Sequence, residues 1–173
     1  MERERREYLQ RLVLAASLEM NYLMQSVGRS RISLNKRENR MPELPEVETT
    51  KRGIEKYLKG YILDGVKIRQ GRLRWPVGEE IQALEGQVIK SVTRRAKYIL
   101  VEFETGYALW HLGMSGSLRL VEPSEAENFG KHDHIDWQLS SGKILRYHDP
   151  RRFGALLWVE DPVDNNYINH LGP

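Results

Sequence analysis

A proline followed by a glutamate, Pro42-Glu43, is the residue pair in this sequence with the clearest capacity for covalent chemistry. A proline nitrogen that is a free N-terminal amine can attack a sugar carbon and form a positively charged imine, whereas a peptide nitrogen does neither. The neighbouring carboxylate of Glu43 would serve proton transfer. Because Met41 stands directly before Pro42, we expect this chemistry only where translation starts at Met41 or processing exposes the proline.

The same pair also has a structural interpretation. Proline suits the first turn of a helix, and glutamate complements the positive end of the helix dipole. The apolar residues Val47, Ile54 and Leu58 recur at helical spacing, and Gly60 lies where such a helix would end. We therefore predict a helix that holds the Pro42-Glu43 end against the body of the domain. On this stretch alone we favour the structural interpretation.

Two loop-like segments and one basic run carry further candidate residues. The segment 111–116 places Met114, a flexible apolar side chain, between two glycines, and the segment 149–154 combines a rigid proline with two arginines and Phe153. Met114 and Phe153 also fit a structural role, as side chains of the core. The basic run 94–97 precedes an apolar strand, where its charges would either meet phosphates or keep the strand end soluble.

The chain downstream of the first helix reads as a series of short strands. Turn signals such as Glu104-Thr105-Gly106 and Ser140-Ser141-Gly142 separate them, and 79–84 predicts a second short helix. The predicted strands are 62–69, 87–93, 98–103, 107–112, 117–121, 134–139, 143–148 and 155–159. We therefore predict an α+β fold, in which about eight short antiparallel strands form a β-sandwich or flattened barrel flanked by helices.

Residues 1–41 differ from the rest of the chain. Apolar side chains at helical spacing predict an amphipathic helix over residues 5–25, and a linker follows at 26–41. This leader holds nine basic and five acidic side chains, so residues 42–173 hold 18 and 19. The sequence pI of about 9.1 therefore belongs mainly to the leader and is weak evidence for nucleic-acid binding. We interpret 1–41 as a leader extension and 42–173 as one domain.

Metal and redox sites find little support in the sequence. It contains no cysteine, which excludes disulfides and thiolate metal sites and is compatible with a reducing cytoplasm. The run Lys131-His132-Asp133-His134 resembles a metal site, because alternation on a strand would put His132 and His134 on one face. Spacing identifies no third ligand, so we predict no metal here. No apolar run approaches the length needed to span a bilayer.

Six segments together resemble one family. They are PELPEVET at 42–49, GRLRWPV at 71–77, RRAKY at 94–98, HLGMSGSLR at 111–119, KHDH at 131–134 and DPRRFG at 149–154. In this order they are similar to the N-terminal domain of bacterial formamidopyrimidine-DNA glycosylases, which remove oxidised purines from DNA. The resemblance implies roles for eight residues: Pro42 as nucleophile, Glu43 in proton transfer, Lys97 on the lesion's phosphate and in support of catalysis, His111 and His132 in DNA contacts, and Met114, Arg151 and Phe153 in the gap left by the extruded nucleotide.

The resemblance also implies a reaction and a partner. Pro42 would form an imine with the sugar, and elimination of the phosphates on both sides would leave a one-nucleotide gap. The implied partner is double-stranded DNA with an oxidised purine or an abasic site, bound by a monomer in the bacterial cytoplasm, with no membrane contact. No metal or redox cofactor enters this chemistry. The family's zinc finger belongs to a C-terminal half, which we expect to be absent from a chain that ends at Pro173.

Two other hypotheses make different predictions. If residues 1–41 stay attached, Pro42 is acylated, and the chain would be a catalytically silent, truncated DNA-binding fragment of the family. A generic β-sandwich binding module predicts that Met114, Arg151 and Phe153 are buried, whereas the glycosylase hypothesis requires them on one open face.

Overall fold

The computed structural model describes residues 44–161, so the predicted leader helix, the linker, Pro42 and Glu43 lie outside the described residues. Two helices, eight strands and one 3-10 turn make up this part of the chain. The elements are α1 (Leu44–Leu58), β1 (Leu63–Ile68), α2 (Glu79–Gln82), β2 (Ser91–Arg95), β3 (Tyr98–Phe103), β4 (Gly106–His111), β5 (Ser117–Val121), the 3-10 turn (Pro123–Glu125), β6 (Asp133–Leu139), β7 (Ile144–His148) and β8 (Ala155–Val159).

The strands form two four-stranded antiparallel sheets, which confirms the predicted α+β sandwich. The first sheet has the order β1-β6-β7-β5, and the second has the order β2-β3-β4-β8. The β2–β3–β4 strands are joined by hairpins, whereas β8 reaches β4 only after the chain has passed through the first sheet. Within the described residues no helix is long and apolar enough to cross a membrane.

An aromatic core joins the two sheets. Trp110 on β4 lies 5.3 Å from Trp137 on β6 and 5.0 Å from Tyr147 on β7, measured between ring centroids. Phe103 on β3 packs edge-on against Trp137 at 5.9 Å. All four side chains are buried. Aromatic pairs at such separations add to the stabilisation that burial provides, so the two sheets are held face to face at this point.

Helix α1 packs through the apolar stripe that its sequence predicts. Val47, Ile54 and Leu58 are all buried. The helix ends at Leu58, and Gly60 follows with φ +87, a left-handed conformation that glycine adopts without steric cost. The amide of Gly60 donates to the carbonyl of Ile89 at 2.8 Å, which joins the helix end to the segment before β2.

Two predicted boundaries were wrong. The strand predicted at 87–93 lies at Ser91–Arg95, because the backbone of Gln87 to Ile89 bonds instead to the segment after α1, with Ile89 donating to the Tyr61 carbonyl at 2.9 Å. The helix predicted at 79–84 is the single turn Glu79–Gln82. For the strand, a long-range partner decided what local periodicity could not.

The outer face of the first sheet carries a buried ion pair. Arg146 on β7 donates from Nε and Nη2 to the two carboxylate oxygens of Asp136 on β6, each at 2.8 Å. Its remaining donors reach the carbonyls of Ala126 and Asn128, at 2.6 and 2.9 Å. Both charged side chains are buried, since the segment 122–131 covers this face of the sheet. The pair therefore fastens that segment to the strands below it.

Candidate functional site

Three loops meet at one end of the second sheet. The first residue of β3, Tyr98, pairs with the last residue of β4, His111, which in turn pairs with the first residue of β8, Ala155. The turn before β3, the loop after β4 and the loop before β8 therefore lie side by side. These are segments 96–97, 112–116 and 149–154, which contain four of the predicted site residues. We call this end of the sheet the loop end.

Lys97 occupies a two-residue turn at the loop end. Arg95 and Tyr98 pair as the last rung of the β2–β3 hairpin, so Ala96 and Lys97 alone make the turn. Ala96 has φ +50, the left-handed conformation that tight hairpin turns require at their first central residue. Lys97 is half-buried, and this burial lowers the pKa of its ammonium group.

An ion pair holds the start of helix α1 beside this turn. Arg94 donates from Nε to Glu48 of α1 at 2.6 Å and from Nη1 to the Ala96 carbonyl at 3.0 Å. Arg94, one of the basic residues considered for phosphate contact, is therefore engaged within the protein. Since α1 begins at Leu44, directly after Glu43, the pair also sets where the chain enters the helix relative to Lys97.

His111 lies beneath the surface of the loop end. Only 6% of the residue is exposed, and its Nδ1 accepts a hydrogen bond from the Gly113 amide at 3.0 Å. Burial, followed by the charges of Lys97 and Arg74, lowers the pKa of His111 to about 4. The ring is therefore neutral at pH 7 with its proton on Nε2, and any contact with DNA would be made through that nitrogen. Its DNA-binding role stays a prediction.

Acid should destabilise the protein through this histidine. Its pKa is about 4 in the folded state and 6.5 in the reference state, so the unfolded chain binds more protons between these values and stability falls as pH drops from 6.5 towards 4. The loss should reach about 3 kcal/mol. Urea unfolding at a series of pH values measures it. His111→Asn keeps an acceptor near Nδ1 but does not titrate, so it should have a flatter profile; equal profiles would contradict the prediction.

The carboxylate of Asp149 joins the two longer loops. It is fully buried, and its Oδ1 accepts from Ser115 Oγ at 2.7 Å and from the Arg152 amide at 3.1 Å. Its Oδ2 accepts from the Tyr147 hydroxyl at 2.6 Å and from the Gly154 amide at 2.9 Å. Sequence patterns alone did not single out Asp149 as a site residue. The available signal was an acidic residue directly before the proline of an otherwise basic loop.

The side chains predicted to enter DNA stand at the surface. Arg151 is exposed, Phe153 is 46% exposed and Met114 is half-exposed. This exposure contradicts the generic binding-module hypothesis, which requires these residues to be buried.

Further basic residues border the loop end. The Arg74 amide donates to the Gly154 carbonyl at 3.2 Å, and Arg152 reaches the Arg72 carbonyl from Nη1 at 3.4 Å. The segment 71–77 thus lies against the loop 149–154. Although residues 42–173 carry slightly more acidic than basic side chains, folding places Arg72, Arg74 and Arg152 near Lys97 and Arg151. Such local clustering creates a positive surface that net charge does not reveal.

His132 and His134 do not form the two-ligand pair considered for a metal. His132 precedes β6, and its ring centroid lies 6.3 Å from that of His134. The buried His134 donates from Nε2 to the Asp149 carbonyl at 2.7 Å, so that nitrogen has no lone pair to offer. His132 is half-exposed, and its carbonyl accepts from the Asp149 amide at 3.0 Å. Its phosphate contact stays a prediction.

Known proteins share this fold and sequence. The family profile of the formamidopyrimidine-DNA glycosylase N-terminal domain matches residues 41–156. The formamidopyrimidine-DNA glycosylase of Yersinia enterocolitica is 59% identical over 134 residues, which cover 77% of this chain and 49% of that protein. Its counterpart from Escherichia coli is 56% identical over 133 residues, with the same coverage. The chain spans about half the length of the curated relatives it matches.

Solved structures agree with these sequence matches. A Lactococcus lactis formamidopyrimidine-DNA glycosylase bound non-covalently to DNA with an AP site superposes with a TM-score of 0.61 at 31% identity, over 68% of this chain and 45% of that one. A structure of MutM in complex with DNA containing carbocyclic 8-oxo-G gives a TM-score of 0.66 at 30% identity, over 75% of this chain and 48% of that one.

Proposed function

Because this chain belongs to the formamidopyrimidine-DNA glycosylase family, we propose that it is a base-excision repair DNA glycosylase and AP lyase acting on oxidised purines such as 8-oxoguanine and formamidopyrimidine. Its partner is double-stranded DNA that contains such a base or an abasic site. Its place of action is the bacterial cytoplasm, at the nucleoid. The proposed reaction uses no metal or redox cofactor.

One observation carries the proposal: the loop end brings Lys97, Met114, Arg151 and Phe153 together beside the start of α1. The three segments that bear these residues are adjacent by strand pairing, and the Glu48–Arg94 pair holds the helix start next to the Lys97 turn. A glycosylase needs a nucleophile near a phosphate-binding cation, and side chains that fill the space left by an extruded nucleotide.

The nucleophile of the proposed reaction is the nitrogen of Pro42. Its lone pair attacks C1′ of the damaged nucleotide, the bond from C1′ to the base breaks, and the base leaves with a proton. Glu43 protonates the ring oxygen as the sugar opens, which gives the iminium between Pro42 and C1′. The iminium makes the C2′ proton acidic, so the 3′ phosphate is eliminated first and the 5′ phosphate after it. Lys97 holds a phosphate of the lesion through charge-assisted hydrogen bonds.

The other exposed residues act on the DNA instead of the sugar. Met114 and Phe153 are wedges that occupy the gap in the base stack, and Arg151 pairs with the base left without a partner. Exposed apolar side chains lose water on insertion into the stack, which offsets part of the cost of unstacking. His132 contributes a phosphate contact at the edge of the same surface.

A second candidate, a catalytically silent fragment, is favoured by the presence of residues 1–41. In the chain as given, the nitrogen of Pro42 is an amide, and an amide forms no imine with a sugar. Intact-mass analysis of the protein from its native cell decides whether this state persists. A species that begins at Pro42 supports the enzyme, and uniform retention of Met1 supports the silent fragment.

Borohydride trapping tests the imine directly. The chain is prepared in two forms, residues 1–173 and a form translated from Met41 with the methionine removed, and each is mixed with a duplex that contains 8-oxoguanine or an abasic site. Borohydride reduces the iminium to a stable amine, so the Pro42 form should become cross-linked and the 1–173 form should not. Acetylation of the Pro42 amine is the matched control and should abolish the cross-link. A Pro42 form that binds the duplex but never cross-links would refute the catalytic proposal.

A further inference from the structure

One buried carboxylate touches both loops whose side chains are proposed to enter the duplex. Of its four donors, Ser115 Oγ belongs to the loop 112–116, and the amides of Arg152 and Gly154 belong to the loop 149–154. The fourth donor, the Tyr147 hydroxyl, comes from β7 and from neither loop. A fully buried carboxylate with four donors has a fixed position, because moving it would leave those groups without partners.

Ser115 forms a second link between the same loops. Its hydroxyl donates to Asp149 at 2.7 Å and accepts from the amide of Arg151 at 3.2 Å. The hydroxyl of Ser115, the residue next to Met114, is thus bonded directly to the backbone of Arg151. A shift of either loop would break a hydrogen bond to the other.

The backbones of the two loops are also in direct contact. A Cβ at Gly113, which has φ +63, would lie 2.6 Å from the Gly154 amide nitrogen and 2.7 Å from the Phe153 carbonyl carbon. Only a residue without a side chain fits there. The neighbours of Met114 and Phe153 are therefore packed together with no space between them.

We propose that Asp149, acting through Ser115, is a positioning residue that couples the two loops, so that Met114 enters the DNA stack only together with Arg151 and Phe153. The inference rests on the proposed function for the identity of the ligand. The coupling itself is a property of the protein without DNA. Its consequence is that the two wedges behave as one unit, which makes insertion at an intact base pair costlier than independent wedges would.

Hydrogen exchange of the 173-residue chain without DNA tests the coupling. Ser115→Ala removes the bridging hydroxyl, and it should speed exchange of the Arg151 amide by about tenfold and of the Gly116 amide, in the other loop, by a similar factor. Tyr147→Phe removes a hydrogen bond to the same carboxylate but removes no hydrogen bond that joins the two loops, and it should leave both rates within about twofold. Ser117→Ala, an exposed serine at the start of β5, should change nothing.

Binding to a duplex with a stable abasic-site analogue tests the consequence. In the otherwise unsubstituted chain, Met114→Ala and Phe153→Ala should weaken binding non-additively, with a coupling factor of about five- to tenfold. In the Ser115→Ala background their effects should multiply to within about twofold. The Tyr147→Phe background should retain the full coupling factor, which a merely structural role of the carboxylate network would not allow.

The two measurements distinguish failure of the coupling inference from failure of the proposed function. If Ser115→Ala leaves both exchange rates unchanged, the inference is wrong whatever the DNA results. It is also wrong if the coupling factor persists in the Ser115→Ala background. If the loops are coupled but the unsubstituted chain binds intact and abasic duplexes equally well, the proposed function is wrong, and the assignment of Asp149 to insertion falls with it.

Discussion

Replacing Asp136 with alanine should lower the free energy of unfolding by about 3–5 kcal/mol, the usual cost of removing one partner of a buried ion pair. Arg146, fully buried, would keep its charge and its bonds to the Ala126 and Asn128 carbonyls but lose both bonds to the carboxylate. Arg69 would lose its bond to the same carboxylate, now 2.6 Å long. Most of the cost comes from leaving the buried guanidinium without its carboxylate partner, and less of it comes from the lost contact itself.

Urea unfolding of the full chain measures this loss of stability, and two further variants serve as comparisons. Asp64→Ala changes an exposed aspartate on β1 and should alter stability by no more than about 0.5 kcal/mol. The double variant Asp136→Leu with Arg146→Met removes both charges at once and should be more stable than Asp136→Ala alone. A loss below about 1 kcal/mol for Asp136→Ala would mean that water reaches the guanidinium and that the pair is not buried in solution.

Gly154→Ala should destabilise the protein by about 3 kcal/mol, at the upper end of the range for overpacking, and should weaken binding to an abasic duplex. A Cβ at this position would overlap the Tyr147 hydroxyl and lie 2.6 Å from the His111 carbonyl oxygen. Neither group can move freely, because the hydroxyl is bonded to Asp149 and the carbonyl belongs to β4. The loop that presents Phe153 must therefore shift.

Gly53→Ala is the matched control for this substitution. Gly53 lies in the exposed middle of α1, with nothing within 4 Å of an added Cβ, so alanine there should stabilise the protein by about 0.5–1 kcal/mol. The same substitution, glycine to alanine, should therefore raise the free energy of unfolding at position 53 and lower it at position 154. Adding Tyr147→Phe to Gly154→Ala removes the overlapping hydroxyl and should recover part of the loss. A double variant no more stable than Gly154→Ala would show that the overlap is not the cause.

Under the proposed function, the basic surface of the loop end would let a domain without a net positive charge attract DNA. Lys97, Arg74, Arg151 and Arg152 come from three separate segments of the sequence, and strand pairing and loop contacts bring these segments to one place. Phosphate attraction depends on charges within about a Debye length and not on the charge of the whole chain. Composition therefore underestimated this property of the fold.

Much of the fold could be predicted because it depends on local patterns. The stripe of Val47, Ile54 and Leu58 specified the buried face of α1, and the glycine-containing turns separated strands that the structure confirms at 98–103, 117–121 and 155–159. Where a segment bonds to a distant partner, as Gln87 to Ile89 do, the strand boundary moved. Alternation shows which side of a strand is apolar, but it does not show which strand lies next to it.

By itself, the sequence determined which residues are able to act, through the motifs from PELPEVET to DPRRFG. It also determined the family and the number and kind of secondary-structure elements. Only the tertiary structure decided what each polar residue does. It engages Arg94 with Glu48, buries His111 and Arg146, and makes Asp149 the contact between two loops. The physical reason is that burial and hydrogen bonding depend on partners far away in the chain, for which a local pattern carries no signal.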